Sequence, residues 1–371
     1  IGGICGTDLH YYKHGGFGQI KLKEPMILGH EVSGFISKIG SNVENLSIGQ
    51  LVSVSPSRPC NKCVFCLNGN QIQCINMKFY GSAMPFPHIQ GAFREILIAE
   101  DFQCVPADGL SSEEAAMAEP LAVCLHAIKQ AGKILGKKVL VTGSGPIGTL
   151  CVAAARRAGA EEIIVTDISS NALTFSDSVG ADKVLNVLEE HDKLKNYQSN
   201  KGYFDIAIEC SGSAQGISDA INCLKPKGTL IQLGLGRDVM IPLVSVTTKE
   251  LNLKGSFRFH SEFELAVKMM KKKLIDVNPL ITHKIEFKNA IDGFELAMNN
   301  NKKSMKVQLA FLRFSKQAKT KKSSGTEPRI YKLVSKPNRF KSCGWPFSPN
   351  PNRTSANDSS SENNACSKSL W

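Results

Sequence analysis

Four cysteines, Cys60, Cys63, Cys66 and Cys74, crowd into one short stretch with the spacing C-x2-C-x2-C-x7-C. Four thiolates on one loop match the closed tetrahedral shell of a structural zinc, which leaves no position for a substrate. The loop is rich in Asn, Lys and Gly and has little apolar surface, so the metal would hold it folded. A nucleic-acid-binding zinc knuckle needs basic and aromatic neighbours on a compact unit, and only Lys62, Phe65 and Lys78 are near. The other cysteines are scattered through apolar stretches such as Ala122-Val123-Cys124, which argues against a disulfide framework.

A second constellation is a glycine fingerprint. Gly143-Ser144-Gly145-Pro146-Ile147-Gly148 directly follows an apolar strand pattern at 138–141 and opens a small-residue helical pattern at 149–158. Glycines there permit a tight turn, let backbone N–H groups approach a pyrophosphate and allow helix to pack on strand. The next strand pattern, 163–166, ends at Asp167, where an acid meets the adenosine ribose hydroxyls. A 2′-phosphate would face that carboxylate, and no arginine follows in Ile168-Ser169-Ser170-Asn171, so NAD is expected over NADP.

A third set is dispersed. Cys5 sits in Gly3-Ile4-Cys5-Gly6-Thr7-Asp8-Leu9-His10, His30 and Glu31 in Gly29-His30-Glu31-x2-Gly34, and Glu119 far downstream. A catalytic zinc takes about three protein ligands and keeps one position open. Taken singly each is ambiguous, and a buried cysteine or a satisfied histidine is the safer reading.

The chain has 371 residues, 42% hydrophobic and 21% charged, enough to bury a core and, by length, to form about two domains. Its charge of +12 is local. Of 45 Lys and Arg against 33 Asp and Glu, 12 and 3 lie from Arg313 onward, leaving 33 against 30 before it. A nearly neutral body offers no footing for nucleic acid or a membrane surface. With no long apolar run and no signal-peptide pattern, a cytoplasmic location is expected.

Both ends break the pattern. Residue 1 is Ile and the chain opens inside a candidate ligand motif, so a preceding piece is expected to be missing. Apolar periodicity stops after residues 307–312, and residues 313–371 are rich in Lys, Ser, Asn and Pro, which predicts a largely disordered basic tail.

These residues need elements to hold them. Between about 121 and 259, short apolar runs alternate with helical patterns, which is how a parallel sheet covered on both faces is written. Further strands fit at 204–209, 229–233 and 251–253, with Gly212, Gly234 and Gly255 at turns. The carboxyl ends of such strands face the cofactor, so Gly234 and Gly236 form a candidate wall of the nicotinamide pocket.

In their order along the chain, the two dispersed motifs, the four-cysteine loop and the glycine fingerprint resemble the zinc-containing medium-chain alcohol dehydrogenases over residues 1 to about 312. The resemblance implies an α/β fold with a GroES-like β-barrel catalytic domain at 1–120, N-terminally truncated because family members begin with a segment this chain lacks. It further implies a doubly wound Rossmann domain at 121–259 and a return segment of the barrel at 260–312. Two zincs per chain, NAD and a homodimer or homotetramer follow from the same likeness. The catalytic zinc would take Cys5, His30 and Glu119, with Glu31 as a rival ligand, and Asp8 would hydrogen-bond the distal nitrogen of His30. The released proton would leave through the Thr7 hydroxyl, the cofactor ribose and His10.

His10-Tyr11-Tyr12 and residues 118–122 and 255–259 are similar to the polyol branch of the family, which has Glu119 where simple alcohol dehydrogenases have a cysteine. Residues 79–88 and 255–263 are similar to members that oxidise a sugar acid. The implied reaction is hydride transfer from a secondary alcohol of the L-idonate type, with Tyr11 and Arg258 at the substrate and Arg258 on its carboxylate. Sorbitol, xylitol or threonine is the alternative substrate on the same scaffold. Outside that class, the missing front makes a catalytically impaired, zinc-stabilised binding protein the other reading.

Overall fold

Lys138-Val139-Leu140-Val141 has buried side chains on both faces because it lies in the middle of a six-stranded parallel sheet. The computed structural model describes residues 1–299 and 304–311, and the expectation for the tail at 313–371 lies outside the described residues. The sheet runs Lys183–Asn186, Glu162–Asp167, Lys138–Thr142, Phe204–Glu209, Leu224–Gln232, Asn252–Gly255, with every neighbouring pair parallel. Its order reverses between Lys138–Thr142 and Phe204–Glu209, and outside the carboxyl ends of strands at such a reversal a ligand crevice opens. The strand expected at 229–233 extends back to Leu224, and the one expected at 251–253 lies at Asn252–Gly255. The edge strand Lys183–Asn186 escapes the sequence pattern because its apolar run is only Val184-Leu185.

The helix after the first strand spans Pro146–Arg157, starting three residues before the expected 149–158. Pro146 occupies its first turn, where a fixed φ suits the helix and the missing N–H has no intrahelical partner to lose. A longer helix, Ala118–Ala131, leads into the sheet. Its Ala118, Ala122, Cys124 and Ala127 are fully buried, small enough to let neighbours pack close, and its first turn carries Glu119.

A second sheet holds the other dispersed residues. Its order is Ile281–Glu286, Lys306–Ala310, Gly2–Gly3, Glu31–Phe35, Leu51–Val54, Cys104–Pro106. The last described strand therefore pairs with the first: Gly3 lies opposite Gln308 on one side and Glu31 on the other. The return to this sheet was expected from residue 260. The chain first forms the helix Glu262–Lys271, whose Phe263, Ala266, Val267 and Met270 share a core with Leu121 and Val139. Only at Ile281 does it rejoin the barrel sheet, because the apolar face of that helix already has its partner on Ala118–Ala131. Among the described residues no helix is long and apolar enough to cross a membrane.

Candidate active site

Cys5 stands at the N-cap of the helix Gly6–His14, and its backbone N–H donates to Asp8 Oδ2 at 3.1 Å. Asp8 Oδ1 accepts from the Gly29 N–H at 3.0 Å. One fully buried carboxylate thereby ties the segment carrying Cys5 to the one carrying His30. The Cys5 sulfur, a His30 ring nitrogen and a Glu31 oxygen lie within 4.8 Å of one another. Glu119 falls outside that group but shares its electrostatics. Burial pushes its carboxyl up to about 8, with His30 opposing and Glu31 and Cys5 adding. The Cys5 thiol is pushed up to about 12, by burial first and Glu31 second.

The two glutamates differ in their partners. Lys306 Nζ donates to both Glu31 oxygens at 2.8 Å, with the two side chains 3% and 1% exposed. Glu119 makes no hydrogen bond or ion pair among the described residues. The hydrogen bond expected between Asp8 and His30 is not formed: Asp8 Oδ1 is 3.7 Å from His30 Nδ1, and that buried nitrogen has no partner. Asp8 is held instead by the two backbone N–H groups. A thiol and an imidazole close together, with a buried, unpartnered carboxylate in their field, are the types of donor that zinc takes with a position left open.

Tyr11, on the same helix as Cys5, is buried, and its hydroxyl accepts from the Ala83 N–H at 3.1 Å, which leaves its own proton to donate. Arg258 has φ +56°, a conformation uncommon for a side-chain-bearing residue. Its guanidinium lies 4.1 Å from the Phe79 ring centroid and 4.7 Å from that of Phe257, and Nη2 meets Met84 Sδ at 3.3 Å. Burial lowers its pKa to about 10, against the opposing pull of Glu119 and Tyr11. No carboxylate pairs with it among the described residues, so planar donors stay free in the field of Glu119. Phe79, Phe257 and Met84, which cradle this cation, carry no signal in the spacing. The Thr7 backbone N–H, close to Cys5, draws the thiol slightly back down. His10 is exposed on the same helix, with ring centroids 6.2 Å from His14 and 6.1 Å from Phe17. Partial burial and then His14 hold its pKa below the usual value, so the imidazole is neutral at pH 7.

The sulfurs of Cys60, Cys63, Cys66 and Cys74 also lie within 4.8 Å of one another, with no disulfide between them. Backbone N–H groups aim at them: that of Lys62 holds Cys60 at about 6, and those of Cys66 and Ile75 lower Cys63. Burial and neighbouring thiols push Cys66 up to about 12, a repulsion that a shared cation removes. This donor set fits a closed four-thiolate zinc shell.

At the nucleotide end, Gly143 has φ +92°, and a Cβ on Gly148 would fall 1.8 Å from the Gly143 carbonyl oxygen. No side chain fits at either position. Gly145 faces open space, where a pyrophosphate can reach the first turn of Pro146–Arg157, formed by Pro146 and Ile147. The Asp167 oxygens accept from the Ser144 N–H at 2.6 Å and the Ser169 N–H at 2.7 Å, which aims the carboxylate at the end of its strand. Gly234 and Gly236 press on Gly212, at 2.3 Å from its N and its O for an added Cβ. They form a packed wall at the strand ends.

Two family patterns match the chain. Residues 1–109 match the alcohol dehydrogenase GroES-like domain, and residues 146–272 match zinc-binding dehydrogenase. L-idonate 5-dehydrogenase (NAD(P)(+)) of Escherichia coli (strain K12) is 40% identical over 312 residues, 84% of this chain and 90% of that protein. D-xylulose reductase A of Aspergillus oryzae is 38% identical over 299 residues, 79% of this chain and 83% of that protein. The crystal structure of the Escherichia coli L-idonate 5-dehydrogenase superposes with a TM-score of 0.80 at 39% identity, covering 84% of this chain and 89% of that one. With its GroES-like sheet, its parallel nucleotide sheet and these relatives in agreement, the chain belongs to the zinc-dependent alcohol dehydrogenase family and is an enzyme of that type.

Proposed function

We propose that this chain oxidises a secondary alcohol of a sugar acid, L-idonate to 5-ketogluconate in type, using NAD and two zincs. The observation that carries the reading is Arg258, a cation with free planar donors and no acid partner among the described residues, set in the field of Glu119. A guanidinium in that state suits a substrate carboxylate, which a neutral polyol lacks. Cys5, His30 and Glu119 would hold the catalytic zinc, with Glu31 kept back by Lys306. Cys60, Cys63, Cys66 and Cys74 would hold the structural one.

When bound, the metal supplies Lewis acidity toward the substrate hydroxyl and the nicotinamide accepts the hydride. The chain's own residues do the rest. Arg258 and the Tyr11 hydroxyl orient the substrate. Asp8 fixes the Cys5 and Gly29 backbones, and with them the spacing of the ligands. Thr7 passes on the released proton and cannot keep it at neutral pH. His10, neutral at pH 7 and exposed to solvent, can accept it. Asp167 supports NAD over NADP, since a 2′-phosphate would face its carboxylate. The substrate is a small molecule, and the working form is a homodimer or homotetramer in the cytoplasm. The domain division at about 120 and 259 belongs to the same reading. The similarity to D-xylulose reductase A favours a sorbitol- or xylitol-type polyol as the second candidate.

The test is turnover by the purified, zinc-loaded chain, followed by reduced-nicotinamide absorbance with L-idonate, sorbitol, xylitol and threonine, each with NAD and NADP. The expected result is the highest kcat/KM for L-idonate with NAD. Faster oxidation of sorbitol than of L-idonate overturns the sugar-acid assignment. One zinc per chain, unaffected by Cys5→Ala and without turnover, would instead favour a zinc-stabilised binding protein.

A further inference from the structure

Glu209 ends the strand Phe204–Glu209, beside the reversal of the sheet order, and is fully buried. Its carboxylate accepts from the Ser211 N–H at 2.8 Å, the Gly212 N–H at 3.0 Å to each oxygen, Gln232 Nε2 at 2.7 Å and the Thr142 hydroxyl at 3.3 Å. The Ser211 hydroxyl donates as well. None of these five donors is a cation, and no Lys, Arg or His pairs with Glu209 among the described residues. Burying a carboxylate without a counter-ion is costly, and here neutral donors alone offset it.

What those donors belong to is the wall of the dinucleotide crevice. Thr142 ends the strand that feeds the glycine fingerprint. Ser211 and Gly212 leave the sheet on the other side of the reversal. Gln232 ends the next strand, and its Nε2 also donates to the Gly234 carbonyl at 2.9 Å. The Glu209 carbonyl accepts from the N–H groups of Leu233 and Gly234 at 2.9 and 2.8 Å. A Cβ on Gly143 would fall 2.8 Å from Ser211 N, and one on Gly234 2.7 Å from Glu209 Oε2. The pyrophosphate loop, the Gly212 turn and the Gly234–Gly236 wall are therefore in mutual contact, with a single carboxylate at the centre.

We propose that Glu209 is a positioning residue for the nicotinamide dinucleotide: acting through Ser211, Gly212 and Gln232, it sets the spacing between the pyrophosphate loop and the nicotinamide wall. This rests on reading the glycine loops as the dinucleotide site. Glu209→Gln keeps the size and turns one end of the group into a donor. Its amide nitrogen must then face either the Ser211 and Gly212 N–H groups or Gln232 Nε2, donor against donor. The loops have to spread to relieve that.

NADH binding to the full zinc-loaded chain, read by nicotinamide fluorescence beside thermal melting, zinc content and steady-state kinetics, tests it. E209Q should bind NADH about tenfold more weakly or worse, with melting and zinc content close to the parent and the KM for NAD raised by more than kcat falls. If the parent chain binds no NADH, the dinucleotide reading and this inference fall together. If the parent binds and E209Q binds equally well, or loses melting temperature with unchanged affinity, only the role of Glu209 falls. Should E209Q fail to fold, S211A, which removes one donor and keeps the carboxylate, decides: weaker NADH binding supports the inference and unchanged binding overturns it.

Discussion

Lys306→Met should destabilise the protein far more than the loss of a surface ion pair. The lysine nitrogen is 2.8 Å from both Glu31 oxygens and 3.4 Å from the Ile4 carbonyl, in a site where lysine and glutamate are 3% and 1% exposed. Methionine keeps most of the stem and removes only the charge and its donors. Glu31 is then left buried without its counter-ion, and breaking a buried pair in this way costs about 3–5 kcal/mol, against about 0–1 kcal/mol for an exposed pair. The double variant Glu31→Gln with Lys306→Met removes both charges, so it should recover much of the loss. Equilibrium urea unfolding followed by far-ultraviolet circular dichroism measures all three proteins, first with the metal chelated and then with zinc restored. Zinc should lessen the defect of Lys306→Met, because a cation again stands beside Glu31. If the metal-free single variant lies within about 1 kcal/mol of the parent, the pair does not behave as a buried one and the separation of Glu31 from the ligand set loses its basis.

Four further outcomes follow from the geometry. Glu262 is 4% exposed and meets Lys129 Nζ at 2.8 Å and His126 Nδ1 at 3.4 Å; burial would raise its pKa, but His126 and Lys129 beside it hold it far below the usual 4.5. A depressed carboxyl stabilises above its unfolded value, so the parent's melting advantage over Glu262→Gln should be full at pH 7 and close as pH falls below about 4.5; an advantage constant with pH contradicts this. Arg258→Met should raise the KM for L-idonate about 10–100-fold while moving that for sorbitol much less, given a charge-assisted contact of about 1.5–3 kcal/mol, and equal shifts for both would remove Arg258 from the carboxylate. Asp167→Ser should narrow the preference for NAD over NADP by about tenfold, measured as a ratio of kcat/KM values; an unchanged ratio places the ribose contact elsewhere. Cys66→Ser should lower the zinc content by one per chain and open residues 60–77 to limited proteolysis, and a loop that resists protease without its metal speaks against a structural zinc.

The nucleotide sheet was legible because its strands are apolar on both faces and its glycines are demanded by contacts a few residues away. Val139, Leu140 and Val141 are buried, and Gly148 packs against Gly143 within one turn. The barrel was not legible from periodicity. Its strands run two to six residues, Gly2–Gly3 has no side-chain pattern, and its neighbour Gln308 lies at the other end of the folded chain. The dispersed candidate ligands come from three separate segments, so no spacing rule reaches them, and the family resemblance supplied what periodicity could not. Two central residues did leave a trace. Lys306 and Gln308 alternate with Val307 and Leu309 on a strand that is buried on both faces, and Glu209 closes the apolar run Ile206-Ala207-Ile208. A charged group inside a buried run signals a partner, but which partner depends on the fold: 275 residues separate Lys306 from Glu31, whereas the donors to Glu209 include its near neighbours Ser211 and Gly212.

Four buried acids show how that choice is made. Asp8 is held by two backbone N–H groups, Glu31 by a lysine and Glu209 by five neutral donors. Of these four, Glu119 alone has no side-chain partner among the described residues, and burial leaves its carboxyl at about 8. The first turn of Ala118–Ala131 gives it some relief, since the positive end of the helix dipole favours negative charge there, though by much less than a desolvated carboxylate needs. A fold that buries this acid in the field of a thiol and an imidazole, and sets Lys306 on Glu31, would leave Glu119 to a cation from outside. On the proposed zinc assignment the lysine and the metal would perform the same electrostatic task on Glu31 and Glu119, and the lysine on Glu31 would free the metal for Glu119.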